Sequence, residues 1–130
     1  MNCIIYKNSQ ILTKNGYKFI DKFDKIVGFD GISEVIEPSA GNGAFSEQIN
    51  KIVWAYDIDP EHENIIQQDY LALKIPYLEG RAVIGNPPFG EKMNLAQKFF
   101  KKCIYETDYI AFILPISQLW NSNSLYEFDL

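Results

Sequence analysis

The stretch SEVIEPSAGNGAF, residues 33–45, changes character halfway along. SEVIEP reads as a short strand, with Val35 and Ile36 as its apolar pair and Pro38 at its end. Gly41 and Gly43 then permit a tight turn and a close backbone approach. GAFSEQINK, starting at Gly43, opens a helix whose first N–H groups have no partner within it. A strand leaving through a glycine turn into a helix begins a βαβ unit, so the fold depends on whether the alternation continues.

It continues on the C-terminal side. IVWAYDID (52–59) is a second strand, ENIIQQDYLAL (63–73) contains a short third, and RAVIGN (81–86) is a fourth. EKMNLAQKFFKKCIYE (91–106) is a helix with Met93, Ala96, Phe99, Phe100 and Cys103 on one side. YIAFILP (109–115) is a fifth strand, apolar throughout and therefore buried on both faces. ISQLWNSNSLYEF (116–128) reads as a short helix. Before the opening stretch, QILTKNGYKFIDKFDKIVG (10–28) carries Phe19, Ile20, Phe23, Ile26 and Val27 at helical spacing and closes at Gly28. Residues 1–32 are thus expected to form an N-terminal helical segment. The whole chain, 1–130, is expected to be one α/β domain whose mostly parallel sheet has about five strands, right-handed crossovers and flanking helices. Ligands of such sheets sit at the carboxyl ends of the strands, near the switch in strand order.

Hydrophobic residues make up 47% of the chain, charged residues 22%, and the net charge is −5. An acidic chain gains little from neutralising phosphates, which argues against a free-standing nucleic-acid binder. Lys14, Lys18, Lys22 and Lys25, and later Lys92, Lys98, Lys101 and Lys102, read as solvated helix faces. No apolar run is long enough to span a bilayer, so no membrane is expected. MNCIIYKNSQ (1–10) is not built like a secretory signal. Cys3 and Cys103 match no metal spacing, so both read as reduced thiols of a cytoplasmic protein.

The unusual residues gather at the strand ends. The glycine turn is neither a G-x-G-x-x-G fingerprint, because Ser46 breaks it, nor a P-loop; by itself it is equally a tight strand-to-helix connection. Asp57 closes the second strand, where a carboxylate can accept from both hydroxyls of a ribose, and Ile58 offers an apolar surface to an adenine ring. Asp59 with Pro60 starts the next turn. Asp69 stands where it either binds an adenine amino group or caps a surface turn, and Tyr70 can pack on the ring. Glu37, Asp57 and Asp69 make this region acidic, which suits a cationic adenosine cofactor better than a polyphosphate. His62 has no evident partner and receives no role.

EPSAGNGAF, YDIDP, QDY and GNPPFG, in this order and spacing, resemble the class I S-adenosylmethionine-dependent methyltransferases. Among these they resemble the DNA methyltransferases that modify N6 of adenine. The resemblance covers roughly residues 33–120, and its most specific part is the Asn-Pro-Pro-aromatic tetrapeptide. It implies a Rossmann-like sheet, S-adenosyl-L-methionine as cofactor and DNA as substrate. It also implies that Glu37, Ala40, Gly41 and Gly43 line the methionine part. Asp57 would hold the ribose, Ile58 and Tyr70 would flank the adenine, and Asp69 would bind its amino group. Asn86, Pro87, Pro88 and Phe89 would be the catalytic corner, with Asn86 also beside the cofactor. The chemistry of such a corner is direct. The lone pair of an adenine amine is delocalised into the ring, and two acceptors, the Asn86 amide oxygen and the Pro87 carbonyl, draw the nitrogen toward tetrahedral geometry for in-line methyl transfer. Pro88 holds the carbonyl in place, and Phe89 stacks on the extruded base. No Pro-Cys pair is present, as a cytosine-C5 enzyme would need.

The sequence departs from the family in three ways. The family's sheet has seven strands, the last two forming a hairpin beside the fifth, whereas this chain is expected to lack them. YIAFILP would then lie at or near an edge, where a partner subunit or a second copy would cover it. Neither a target-recognition domain nor an upstream aromatic-Thr-Pro segment is found. Three explanations follow: a truncated or split enzyme, a cofactor-binding remnant, or a complete small enzyme. The substrate alternatives are a ribosomal RNA base and a glutamine side chain of a protein, since an amide nitrogen poses the same electronic problem. Phe89 and PSAGNGAF favour DNA. A non-catalytic cofactor-binding or assembly module is the reading from another class.

Overall fold

The computed structural model describes residues 2–7, 10–15, 19–88, 90 and 94–114. The helix expected over 116–128, together with Phe89, lies outside them. Seven strands form one sheet: β1 (Asn2–Lys7), β2 (Gln10–Asn15), β3 (Glu34–Glu37), β4 (Val53–Asp57), β5 (Ile66–Gln67), β6 (Arg81–Gly85) and β7 (Tyr109–Leu114). Their order is β2-β1-β7-β6-β3-β4-β5. The pairs β3–β4, β3–β6, β4–β5 and β6–β7 are parallel, and β1 runs antiparallel to both β2 and β7. The fold is therefore α/β with a mostly parallel sheet, as expected.

Among the described residues, two helices cover the two faces. α1 (Phe19–Ile26) buries Ile20 and Phe23 against Ile5, Val35, Ala82, Ile84 and Ala111. Gly28, at φ +85°, ends it in the left-handed conformation that only glycine adopts freely. α2 (Asn94–Cys103) turns Ala96, Phe99, Phe100 and Cys103 onto Ile36, Val83, Ile110 and Phe112 on the other face. That spacing of three, four and seven residues is the apolar stripe of a core-facing helix. β7 supplies side chains to both layers in alternation, Ile110 and Phe112 to one and Ala111 to the other, which accounts for its unbroken apolar sequence.

Three expectations are corrected here. The sheet has seven strands rather than about five, because residues 1–32 are not simply helical: a hairpin, β1–β2, precedes α1. Its first strand, β1, pairs with β7 over its whole length, from Asn2↔Leu114 to Lys7↔Tyr109. The fifth strand of the reading is therefore interior rather than an edge, flanked by β1 and β6. Lastly, GAFSEQINK forms only a 3-10 turn, Ser46–Gln48, before Ile49 returns to extended backbone at φ −108°.

The strand order fixes where a ligand can enter. From β3 the chain steps outward to β4 and then β5. It next crosses back to β6 on the opposite side of β3 and steps outward again to β7. The reversal lies between β3 and β6, where outgoing connections diverge and leave a crevice at the carboxyl ends of the strands. The opposite pole is tied by structure alone. Buried Arg81 pairs with Glu34 at 2.9 Å and donates to the carbonyls of Pro76 and Glu106 at 2.6 and 3.0 Å.

Candidate cofactor and catalytic cleft

At the reversal lies a cleft of about 380 Å³, within the range of small-molecule sites. Its walls include Glu37 from the end of β3, Asp57 from the end of β4, Asn86 just beyond β6, and the turn from Ser39 to Gly41. Among the described residues no lysine, arginine or histidine lines it.

The glycine turn is held from both sides. The Ala40 N–H donates to the Tyr56 carbonyl at 2.8 Å and the Gly43 N–H to the Ala40 carbonyl at 2.9 Å. Gly41 and Gly43 stand at φ +58° and +82°. A Cβ on Gly41 would meet nothing within 4 Å, so that position needs glycine for its backbone angle and not for room. Asn42, unremarked in the sequence, caps the turn by accepting from the Ala44 N–H at 3.1 Å.

Asp57 sits at the strand end as expected, and its carboxylate is already in use. Oδ2 accepts from the Gly41 N–H and Oδ1 from the Asp59 N–H, both at 2.8 Å. Each oxygen keeps a second lone pair, so a ligand hydroxyl can still be accepted while the turn stays anchored. Glu37 is 2% exposed. The Ser46 hydroxyl donates to its Oε2. Burial, with the Asp57 charge as a lesser contribution, pushes its carboxyl up to about 7 against the pull of the Ser46 hydrogen bonds. Ser46 is the residue that sequence reasoning passed over. It was noticed only as the break in a glycine fingerprint, although its place at the start of a turn facing the end of β3 was the available signal.

Asn86 lines the cleft with its side chain exposed and without a hydrogen-bond partner among the described residues. Pro87 is buried and Pro88 exposed. Gly85 brings β6 close to β3, since a Cβ there would lie 3.4 Å from Pro38 and 3.8 Å from Glu37. Gly90 closes the corner at φ +67°, where a Cβ would press on the Leu95 backbone nitrogen at 3.0 Å, so only glycine fits.

The expected adenine side is only partly assembled. Ile58 is 65% exposed at the end of β4 and open to a ring. Asp69 is exposed but outside the cleft walls, and it caps a second 3-10 turn, Tyr70–Ala72, by accepting from the Leu71 N–H at 3.0 Å. Tyr70 does not reach the cleft, which corrects its expected role. It is 1% exposed beneath α2, stacked on Phe99 at 5.8 Å. Its hydroxyl donates to Glu106 at 2.6 Å and lies 3.4 Å from Cys103 Sγ. The short β5 and the turn after it swing this ring into the core. A neighbouring cavity of about 260 Å³ adjoins the glycine turn, with Gly43, Ser46, Glu47 and His62 among its walls.

No family model, no curated protein and no solved structure matches this chain.

Proposed function

We propose that the chain is an S-adenosyl-L-methionine-dependent N-methyltransferase with a Rossmann-like sheet, and that its first substrate is N6 of adenine in DNA. One observation carries this: Glu37, Asp57 and Asn86, drawn from three separate strand ends, face a single cleft at the reversal of strand order, and no described cation lines it. Two carboxylates suit the ammonium and sulfonium of the cofactor. An unpaired amide oxygen at Asn86 suits an N–H donor from the substrate, with the Pro87 carbonyl as the second acceptor. The hairpin β1–β2 lends further support, because it occupies the position beside the fifth strand that the resembled family gives to its last two strands. The residues would bind and orient two partners and polarise the attacking nitrogen, and no covalent step on the protein is called for.

The withdrawal of Tyr70 and the engagement of Asp57 by backbone donors favour a second reading, a cofactor-binding module without turnover. Calorimetric titration of S-adenosylmethionine, with Asp57→Ala as control, tests what the two have in common. Micromolar binding that weakens in a folded Asp57→Ala variant is expected, and no binding to the wild type would end both readings. Transfer of a labelled methyl group to DNA, RNA and a protein glutamine, assayed in parallel, separates the two. Asn86→Ala is expected to lower the rate on the order of hundredfold while leaving cofactor affinity nearly intact. An undiminished rate would remove Asn86 from the chemistry.

A further inference from the structure

Glu37 is buried and is one of the residues that line the cleft. Ser46 holds the carboxyl twice, its hydroxyl donating to Oε2 and its backbone N–H bonding the same group. The groups facing it come from each neighbouring element. β4 contributes Asp57, a like charge, and the residue after β6 is the uncharged Asn86. The glycine turn presents backbone, and the 3-10 turn presents Ser46. Glu47 and His62 line the adjoining cavity, which Ser46 also borders. A buried carboxyl with a like charge beside it and no described cation lining its cleft is easier to ionise once a cation is brought against it.

We propose that Ser46 is a positioning residue that aims Glu37 as a proton-exchanging receptor for the cationic end of the cleft's ligand. On binding, the Glu37 O–H bond breaks, the proton leaves to solvent, and the carboxylate formed accepts the ligand's ammonium or sulfonium. This rests on the cofactor reading above and adds to it a dependence of affinity on pH. Burial raises the Glu37 carboxyl to about 7, and the Ser46 hydrogen bonds oppose that rise. Loss of the hydroxyl therefore makes Glu37 harder to ionise.

The test is calorimetric titration of S-adenosylmethionine between about pH 6 and about pH 8, in two buffers of different ionisation enthalpy so that released protons are counted. Affinity is expected to rise about tenfold across that range, with proton release at its lower end, as linkage to one group titrating near neutrality requires. Ser46→Ala should move the rise to higher pH, Ser46→Thr should restore it, and Glu37→Gln should abolish both the slope and the released proton. Circular dichroism shows whether each variant is folded. Binding with a flat pH profile and no released proton overturns this proposal alone. A rise that Ser46→Ala leaves in place removes Ser46 from it. Absence of binding at every pH overturns the cofactor reading and this proposal together.

Discussion

Burying Glu37 beside Asp57 costs the folded protein stability wherever that carboxyl must ionise. The folded value of about 7 exceeds the ordinary 4.5, so the folded state holds the proton more tightly than the unfolded chain. Stability from this group therefore falls as pH rises from about 4.5 through about 7 and levels off above. At about 1.4 kcal/mol per pH unit the full effect is about 3 kcal/mol. Urea unfolding at about pH 5 and about pH 8 should show the wild type losing stability on this scale relative to Glu37→Gln, and parallel behaviour of the two would refute it. At this scale the sequence was partly legible. Glu37, Asp57 and Asn86 stand out because acids and amides at strand ends are solvated or functional, and the strand ends were readable. Tyr70 was not, because its burial depends on where α2 lies. Ser46 was not, because a hydroxyl becomes a carboxyl's partner only once the turn tightens to 3-10.

The interior strands show what an element reveals of itself. β3, β4, β6 and β7 were legible because each is a short apolar run between turn signals, and the all-apolar YIAFIL announced burial on two faces. The hairpin β1–β2 was missed for a physical reason. The helical spacing of Phe19 to Ile26 is real, but it was extended backward over QILTKN, which pairs in the sheet instead. The signal lay in two six-residue runs separated only by Asn8 and Ser9, a spacing suited to a tight hairpin. This hairpin carries weight in the core. Ile5 is fully buried among α1, β6 and β7 residues, so Ile5→Ala should cost about 2–5 kcal/mol. Removing residues 1–15 should bare the edge of β7 and drive the protein into aggregates visible by size exclusion. A monomeric, folded product would show that β7 needs no such cover.

At the scale of the whole molecule, the two cores flank one sheet and Cys103 lies inside the layer beneath α2. Its thiol is wholly buried, and burial pushes it up to about 12. Both access and the thiolate are withheld in the folded state. In a Cys3→Ser background, alkylation of Cys103 by iodoacetamide should proceed only at the rate of unfolding and should speed up across the denaturant transition. Rapid labelling of the folded protein would mean that α2 opens locally. The general architecture was legible from the alternation of strands and turns, and the order β2-β1-β7-β6-β3-β4-β5 was not, since no local pattern encodes a pairing between residues as distant as Asn2 and Leu114.

That distant pairing also sets a timetable. β1 is synthesised before every other strand of the sheet, yet its partner β7 is completed after all of them. Until then β1 lacks the strand that joins it to the sheet, and a two-stranded ribbon on its own is marginal in water. The ordering entropy of the enclosed loop must be met before the contact forms, which slows folding. A nascent chain halted before residue 109 should therefore remain protease-sensitive at its N-terminal end and present a hairpin edge to chaperones, and synthesis of one further strand should let the sheet close as a unit.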